Sequence, residues 1–384
     1  MTMTMDLRDE LGLGAAPSQA PKNQRFTKYG VLDNPFPPSN KTAGNPRFRS
    51  PVDTQITGRI RTFLESGKSE VVVVTGTQGL GKTNLLEFYQ RELPLLLEER
   101  GFYLVVRYTD PEPEFSSVVQ LIFRQLGAEH LRKLAVATAS DAFTDADRKR
   151  ALAHVRTRDL QIAMSHLFRF RDDESKLVEL SKMLLEFLMG SRIYKRHSDE
   201  LGLMQRLDTT EAKTQALQDL IYLSHEFGAL QGLFLFIDEL EKVGASPTQV
   251  TTRYLSAIRA LIDALPEHLF LILAMTPDAH DRYSRVLPAL GGRLQNVVEL
   301  PPLFADEEAL NLYNFYLEKA REEAVKDPEV ETQTQGKQPL IAADAVRETF
   351  KDMLEESRQK GLQGVTQRAF LDRLHERTRM LFAR

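Results

Sequence analysis

The stretch GTQGLGKTNLLEFY, residues 76–89, follows directly on the apolar run EVVVV. Gly76, Gly81, Lys82 and Thr83 stand in it at the spacing G-x-x-x-x-G-K-[ST]. Glycines at those places let backbone N–H groups wrap an anion, and the N-terminus of a following helix adds its partial positive charge. Gly76, Thr77, Gln78, Gly79, Leu80, Gly81, Lys82, Thr83 and Asn84 therefore read as a cradle for the phosphates of ATP. In that reading Lys82 bridges the β- and γ-phosphates and Thr83 holds Mg2+. A plain corner between a strand and a helix would explain the glycines but not the Lys-Thr pair.

A second constellation lies in LFLFIDELEKV, where an apolar run delivers Asp238 and then Glu239 to its carboxyl end. This looks like a Walker B motif. Asp238 would hold Mg2+ through water, and Glu239 would orient or polarise an attacking water. Ordinary solvated carboxylates at a strand end are the alternative, which the cradle upstream disfavours. In LFLILAMTPDAHDRY a third run carries Thr276 toward the same edge, placed to touch the γ-phosphate or the water. Thr-Pro-Asp is also good turn chemistry, so Thr276 fits a helix cap as well.

Positioning these residues requires a sheet. Besides EVVVV, the runs FYLVVRY from Phe102, LFLFID from Leu233, LFLILAM from Leu269 and NVVEL from Asn296 are near-continuously apolar. Separated by helical segments, such runs predict an α/β fold with a parallel sheet covered on both faces. The spacing of Ile56, Ile60, Phe63 and Leu64 predicts a helix before the first strand, and Leu85, Leu86, Tyr89 and Leu93 predict one after the cradle. Between the second and third runs no convincing strand occurs, and segments such as KLVELSKMLLEFLMG predict a helical insertion over about 125–228. We therefore expect an extended arm over 1–50, a core over 51–304 and a helical domain over 305–384. VKDPEVETQTQGKQP within the last of these reads as a polar loop.

Composition bounds the rest. With 42% apolar and 27% charged residues the chain is ordinary globular material, and its formal net charge of −4 gives no bulk attraction to nucleic acid. The absence of cysteine excludes disulfides, thiol nucleophiles and cysteine-ligated zinc. No run approaches a membrane span, and MTMTMDLRDE lacks the apolar centre of a secretory signal, so a cytoplasmic location is the expectation.

The order of these parts resembles the AAA+ ATPases and their STAND relatives. The resemblance runs from about Pro51 to the C-terminus and implies further roles. Arg293, in GGRLQNVVELPPL, stands where such families place an arginine finger that reaches a neighbouring subunit's γ-phosphate, with Arg282 and Arg285 as competitors. Arg368, in GLQGVTQRAFLDRL, resembles a sensor-two arginine at the start of a lid helix, though a solvated helix residue is the alternative. The separation of Lys82 from Asp238 exceeds that of a compact AAA+ core, and the helical insertion accounts for it. The stretch from MLLEFLMGSRIYKRH to LFLFIDELEKV is similar to ATP-binding proteins of BREX-type phage-defence systems, which belong with origin-recognition-like ATPases.

Two features bear on partners. Residues 147–172 carry Arg148, Lys149, Arg150, Arg156, Arg158, Arg169 and Arg171, either a solvated face or a surface for DNA phosphates. In the arm, Phe26, Tyr29, Phe36 and Phe48 alternate with Lys28, Lys41, Arg47 and Arg49, which suits nucleic acid or packing against the protein itself. The leading expectation is thus an oligomeric, DNA-associated ATPase. A nucleotide-gated scaffold that recruits a protein partner with little turnover is the second. A kinase fits less well, because adjacent Asp and Glu suit water activation better than transfer to a bound acceptor.

Overall fold

The computed structural model describes residues 24–41, 43–326 and 338–382. The expected arm before residue 24 and most of the polar loop VKDPEVETQTQGKQP lie outside the described residues. The chain divides into two compact units, one formed by residues 49–301 and the other by residues 1–48 with 302–384.

The larger unit opens with helix α1 (Pro51–Ser66), which leads into β1 (Glu70–Thr75) and α2 (Lys82–Leu97). Ser50 and Asp53 form a reciprocal capping box at the start of α1, and Gly67 ends it with φ of 68°. After β2 (Tyr103–Tyr108) come α3 (Ser116–Ala137), α4 (Asp145–His154), α5 (Arg158–Arg169), α6 (Glu174–Leu188), α7 (Lys195–Leu201) and α8 (Thr210–Glu226). The strand β3 (Gly232–Ile237) follows, then α9 (Thr248–Ala264), β4 (Leu269–Met275), α10 (Pro277–Val286) and β5 (Val297–Glu299). Each apolar run named from the sequence is a strand, and the stretch between β2 and β3 is helical.

All five strands are parallel, in the order β2-β3-β4-β1-β5. Alternation along each strand sorts the core into two layers, as the period of two requires. Val71, Val73, Leu233, Leu235, Leu271 and Leu273 join the core that also contains the insertion helices. Val72, Val74, Phe234, Phe236, Phe270 and Ile272 join Ile56, Phe63, Leu85 and Leu86 of α1 and α2. Burial on both faces is why β3 and β4 are apolar at every position.

The smaller unit contains α11 (Asp306–Ala324), α12 (Ala343–Gln359) and α13 (Gln367–Phe382). Its core includes Leu312, Tyr313, Phe350, Phe370 and Leu374, together with Phe26, Val31 and Phe36 from the N-terminal segment. Phe36 stacks on Tyr313 at 5.3 Å, and Phe48 meets Phe315 edge-on at 5.4 Å. The described part of the arm is therefore packed into this unit through its aromatic residues, and apart from a single helical turn at Gln24–Thr27 it has no regular structure.

Candidate nucleotide site

The strand order decides the geometry. With β4 between β1 and β3, the residues that follow these three strands emerge side by side at the carboxyl edge of the sheet. Thr75 pairs with Met275 and Ile237 with Leu273, so Gly76 and Thr276 leave the sheet level with each other and Asp238 leaves two residues earlier along the same edge.

The loop from Gly76 to Gly81 bends sharply into α2. Gly79 and Gly81 have φ of 87° and 92°, a region that side chains rarely tolerate. A Cβ on Gly76 would lie 3.2 Å from Leu80 Cδ1 and 3.3 Å from Leu300 Cβ, so a larger residue there would press on both neighbours. Leu80 is buried and anchors the loop, whereas Thr77 and Gln78 are exposed. Lys82 is buried, and its Nζ donates to Gly76 O at 2.6 Å and Thr77 O at 3.3 Å. An incoming phosphate offers this ammonium a stronger, charge-assisted acceptor. Asn84 lies in the first turn of α2, beside Thr83.

Asp238 is buried, and the Thr83 hydroxyl and the Glu239 N–H both donate to its carboxylate. Burial pushes its carboxyl above the ordinary value and the neighbouring Glu239 charge adds to that, while Thr83, the Glu239 N–H and Arg107 oppose it. Glu239 itself has φ of 50° and ψ of 38°. Left-handed backbone at a glutamate is costly, and such strain clusters at functional sites. The turn Leu240–Ala245 that follows is fastened by Tyr283 of α10, whose hydroxyl donates to Leu240 O at 2.9 Å. Thr276 is half-buried at the N-cap of α10, and its hydroxyl makes no capping bond.

Two cations at the site were not singled out from the sequence. Lys242 Nζ lies 2.6 Å from Glu239 Oε2 and 2.8 Å from Asp110 Oδ1. Arg107 of β2 donates to Gln90 at 2.9 Å and to Glu87 at 3.0 Å, both on α2. Its Nη1 is buried without a hydrogen-bond partner and stands 4.0 Å from Asp238 Oδ2. Lys242 was visible three residues after Glu239, and Arg107 as the lone charge in an apolar run. Their partners were not, because Asp110 and Asp238 arrive from other strands.

The arginines are placed differently. Arg293 is paired with Asp263 of α9 at 2.5 Å and donates to Ala289 O at 3.0 Å. Arg282 packs against Gly244 and over the Tyr283 ring. Arg285 is exposed and donates to Asp281 O at 3.2 Å. Arg368 lies in the first turn of α13, in the smaller unit.

A family model described as BREX system ATP-binding protein BrxC/D matches residues 103–377. The chain belongs to this family. The matched range contains Asp238, Glu239 and Thr276, while the cradle at 76–83 precedes it and rests on its own residues. Curated proteins give no match to the sequence. Among solved structures, the chain is similar to the ORC2 protein of Aeropyrum pernix in its ADPNP-ADP complexes, with TM-score 0.41 and 12% identity over 88% of this chain and 70% of that one. The ADP form of the same protein gives TM-score 0.39 and 13% identity over 88% and 71%.

The residues fit a magnesium nucleotide. The Thr83 hydroxyl and the Asp238 carboxylate lie together at the end of the phosphate loop. That pattern suits Mg2+, which keeps several waters and takes its remaining ligands from one or two protein groups and substrate phosphates.

Proposed function

We propose that this BrxC/D-family protein is a Mg2+-dependent ATPase that works as an oligomer in association with DNA. The observation that carries this reading is the convergence of Lys82, Thr83, Asp238, Glu239 and Thr276 at one sheet edge. Lys82 and the loop N–H groups bind the β- and γ-phosphates, and Thr83 and Asp238 would hold Mg2+, which would neutralise charge on the phosphate oxygens. Glu239 orients the attacking water and takes its proton as the oxygen bonds to the γ-phosphorus. The bond to the β–γ bridging oxygen breaks, and ADP and phosphate leave. Thr276 is positioned to hold the γ-phosphate or the same water. Arg293, kept in one pose by Asp263, serves as the finger for a neighbouring copy, and Arg368 is assigned a sensing role.

The test is ATPase rate against protein concentration, with and without duplex and single-stranded DNA, with Lys82→Ala as the blank. The reading requires a rate that rises steeply with concentration and with DNA, and that Arg293→Ala and Arg368→Ala lower. Tight ATP binding with flat turnover under every condition would overturn it.

A second reading has its own support. The hold of Lys242 on Glu239 favours a nucleotide-gated scaffold with little turnover, in which bound ATP recruits a partner protein. Glu239→Gln separates the two, since a motor loses function with turnover whereas a switch stays locked on.

A further inference from the structure

The basic segment 148–171 does not act as one surface, because part of it is spent inside the fold. Arg148 donates to Phe143 O at 2.9 Å and pairs with Asp145 at 2.7 Å. Arg150 pairs with Asp147, and Arg171 donates to Phe168 O at 3.1 Å. The side chains of Lys149, Arg156, Arg158 and Arg169 make no hydrogen bond or ion pair among the described residues, and all four are exposed. Where α4 and α5 cross, a cleft of about 360 Å³ opens between them. Lys149 of α4 and Ser165, His166 and Arg169 of α5 line it, over an apolar floor that includes Leu152 and Ile162. No carboxylate lines the cleft, and of the acids near it in sequence Asp145 and Asp147 are engaged by Arg148 and Arg150, while Asp159 accepts from the Met204 and Gln205 N–H groups.

We propose that this cleft takes a backbone phosphate of nucleic acid, an inference that rests on the DNA-associated reading above and names its contact surface. Lys149 and Arg169 supply two full positive charges from opposite walls, and Ser165 and His166 supply further hydrogen-bonding groups. Arg158, Ile162, Ser165 and Arg169 share one face of α5. That row is about 16 Å long at the rise of an α-helix. It matches roughly four or five phosphates of one strand, which advance about 3.4 Å each along the duplex axis. Contacts of this kind position the strand without reading its sequence.

The experiment is fluorescence anisotropy of the full chain with a labelled duplex a few tens of base pairs long and a single strand of the same length, in a salt titration. Lys149→Ala/Arg169→Ala is compared with Lys182→Ala/Lys195→Ala, which removes the same charge from exposed positions of the same helical insertion outside the cleft. A thermal melting midpoint equal to that of the wild type establishes that each variant is folded. The cleft pair is expected to weaken DNA binding about tenfold, and to make the slope of log K against log salt shallower by about two, while the control pair leaves both unchanged. Equal losses from the two pairs, or none from the cleft pair, would sink the cleft as the contact surface while leaving DNA association intact. Absence of binding by the wild type at low salt overturns the DNA-associated reading itself, and the cleft proposal with it. Adding tripolyphosphate distinguishes the anion's source. Its saturation of the cleft in a protein that ignores DNA identifies a free polyphosphate site and overturns the nucleic-acid assignment.

Discussion

Lys242 Nζ sits 2.6 Å from Glu239 Oε2, so the carboxylate proposed to activate water is already engaged by a cation from its own turn. Asp110 shares that ammonium at 2.8 Å and fixes it from the end of β2. Water must compete with Lys242 for this carboxylate. The contact is half-exposed, which limits its worth to about 1 kcal/mol.

Releasing Glu239 is therefore expected to speed hydrolysis. Lys242→Ala should raise the turnover number by about fivefold, the factor that about 1 kcal/mol represents. Asp110→Asn should raise it less, because Lys242 remains. Single-turnover rates at saturating ATP check this, and a fall in rate would show that Lys242 holds Glu239 in its working pose.

Glu239→Gln retains the size of the side chain while removing the proton acceptor. Turnover is expected to fall by about a hundredfold or more, with nucleotide affinity unchanged. Equilibrium binding of a labelled ATP analogue alongside phosphate release provides the measurement. Loss of binding in this variant would reassign Glu239 to holding the nucleotide.

In the proposed site Asp238 would have to be ionised to hold Mg2+. Because burial raises its carboxyl above the ordinary range, Mg2+-dependent nucleotide binding should begin to fail at a higher pH than an exposed aspartate, near 3.9, would dictate. Arg107 opposes that rise from 4.0 Å. Arg107→Met is thus expected to move the acid limb to higher pH, with Mg2+-free nucleotide binding as the comparison. An unmoved limb would show that Arg107 serves only Glu87 and Gln90.

His130 gives a separate pH dependence within the insertion. It is buried on α3, shares a hydrogen bond of 2.9 Å with Ser224 Oγ on α8, and burial pushes its imidazole down to about 4. The folded protein keeps it neutral, while the unfolded chain takes up a proton below about 6.5. Its contribution is fully present above that pH and is lost progressively as pH falls toward 4, by about 3 kcal/mol. Urea unfolding at pH 7 and pH 5 should show a loss in the wild type that is reduced in His130→Leu/Ser224→Ala. The double variant leaves no orphaned hydroxyl, so its fold is the cleaner reference.

Local rules carried much of this protein. EVVVV followed by GTQGLGKT dictates a strand, a glycine turn and a helix, because β-branched runs and the conformational freedom of Gly79 and Gly81 are properties of neighbouring residues. The apolar runs likewise marked five strands, and the two-residue period within them was enough to divide the core into two layers. What the sequence could not decide was which strand lies beside which, since pairing joins residues such as Glu70 and Phe270 across most of the chain. Only the order β2-β3-β4-β1-β5 sets Thr276 between the cradle and Asp238, brings Asp110 to Lys242 and places Arg107 beside Asp238. Likewise, seven basic residues in one segment looked alike in sequence, and folding divided them. Arg148, Arg150 and Arg171 meet acceptors of their own segment and its approach, while Lys149 and Arg169 line one cleft between two helices. Motif chemistry is local and readable in order along the chain, whereas the partner of each charge is a matter of spatial proximity that tertiary packing alone supplies.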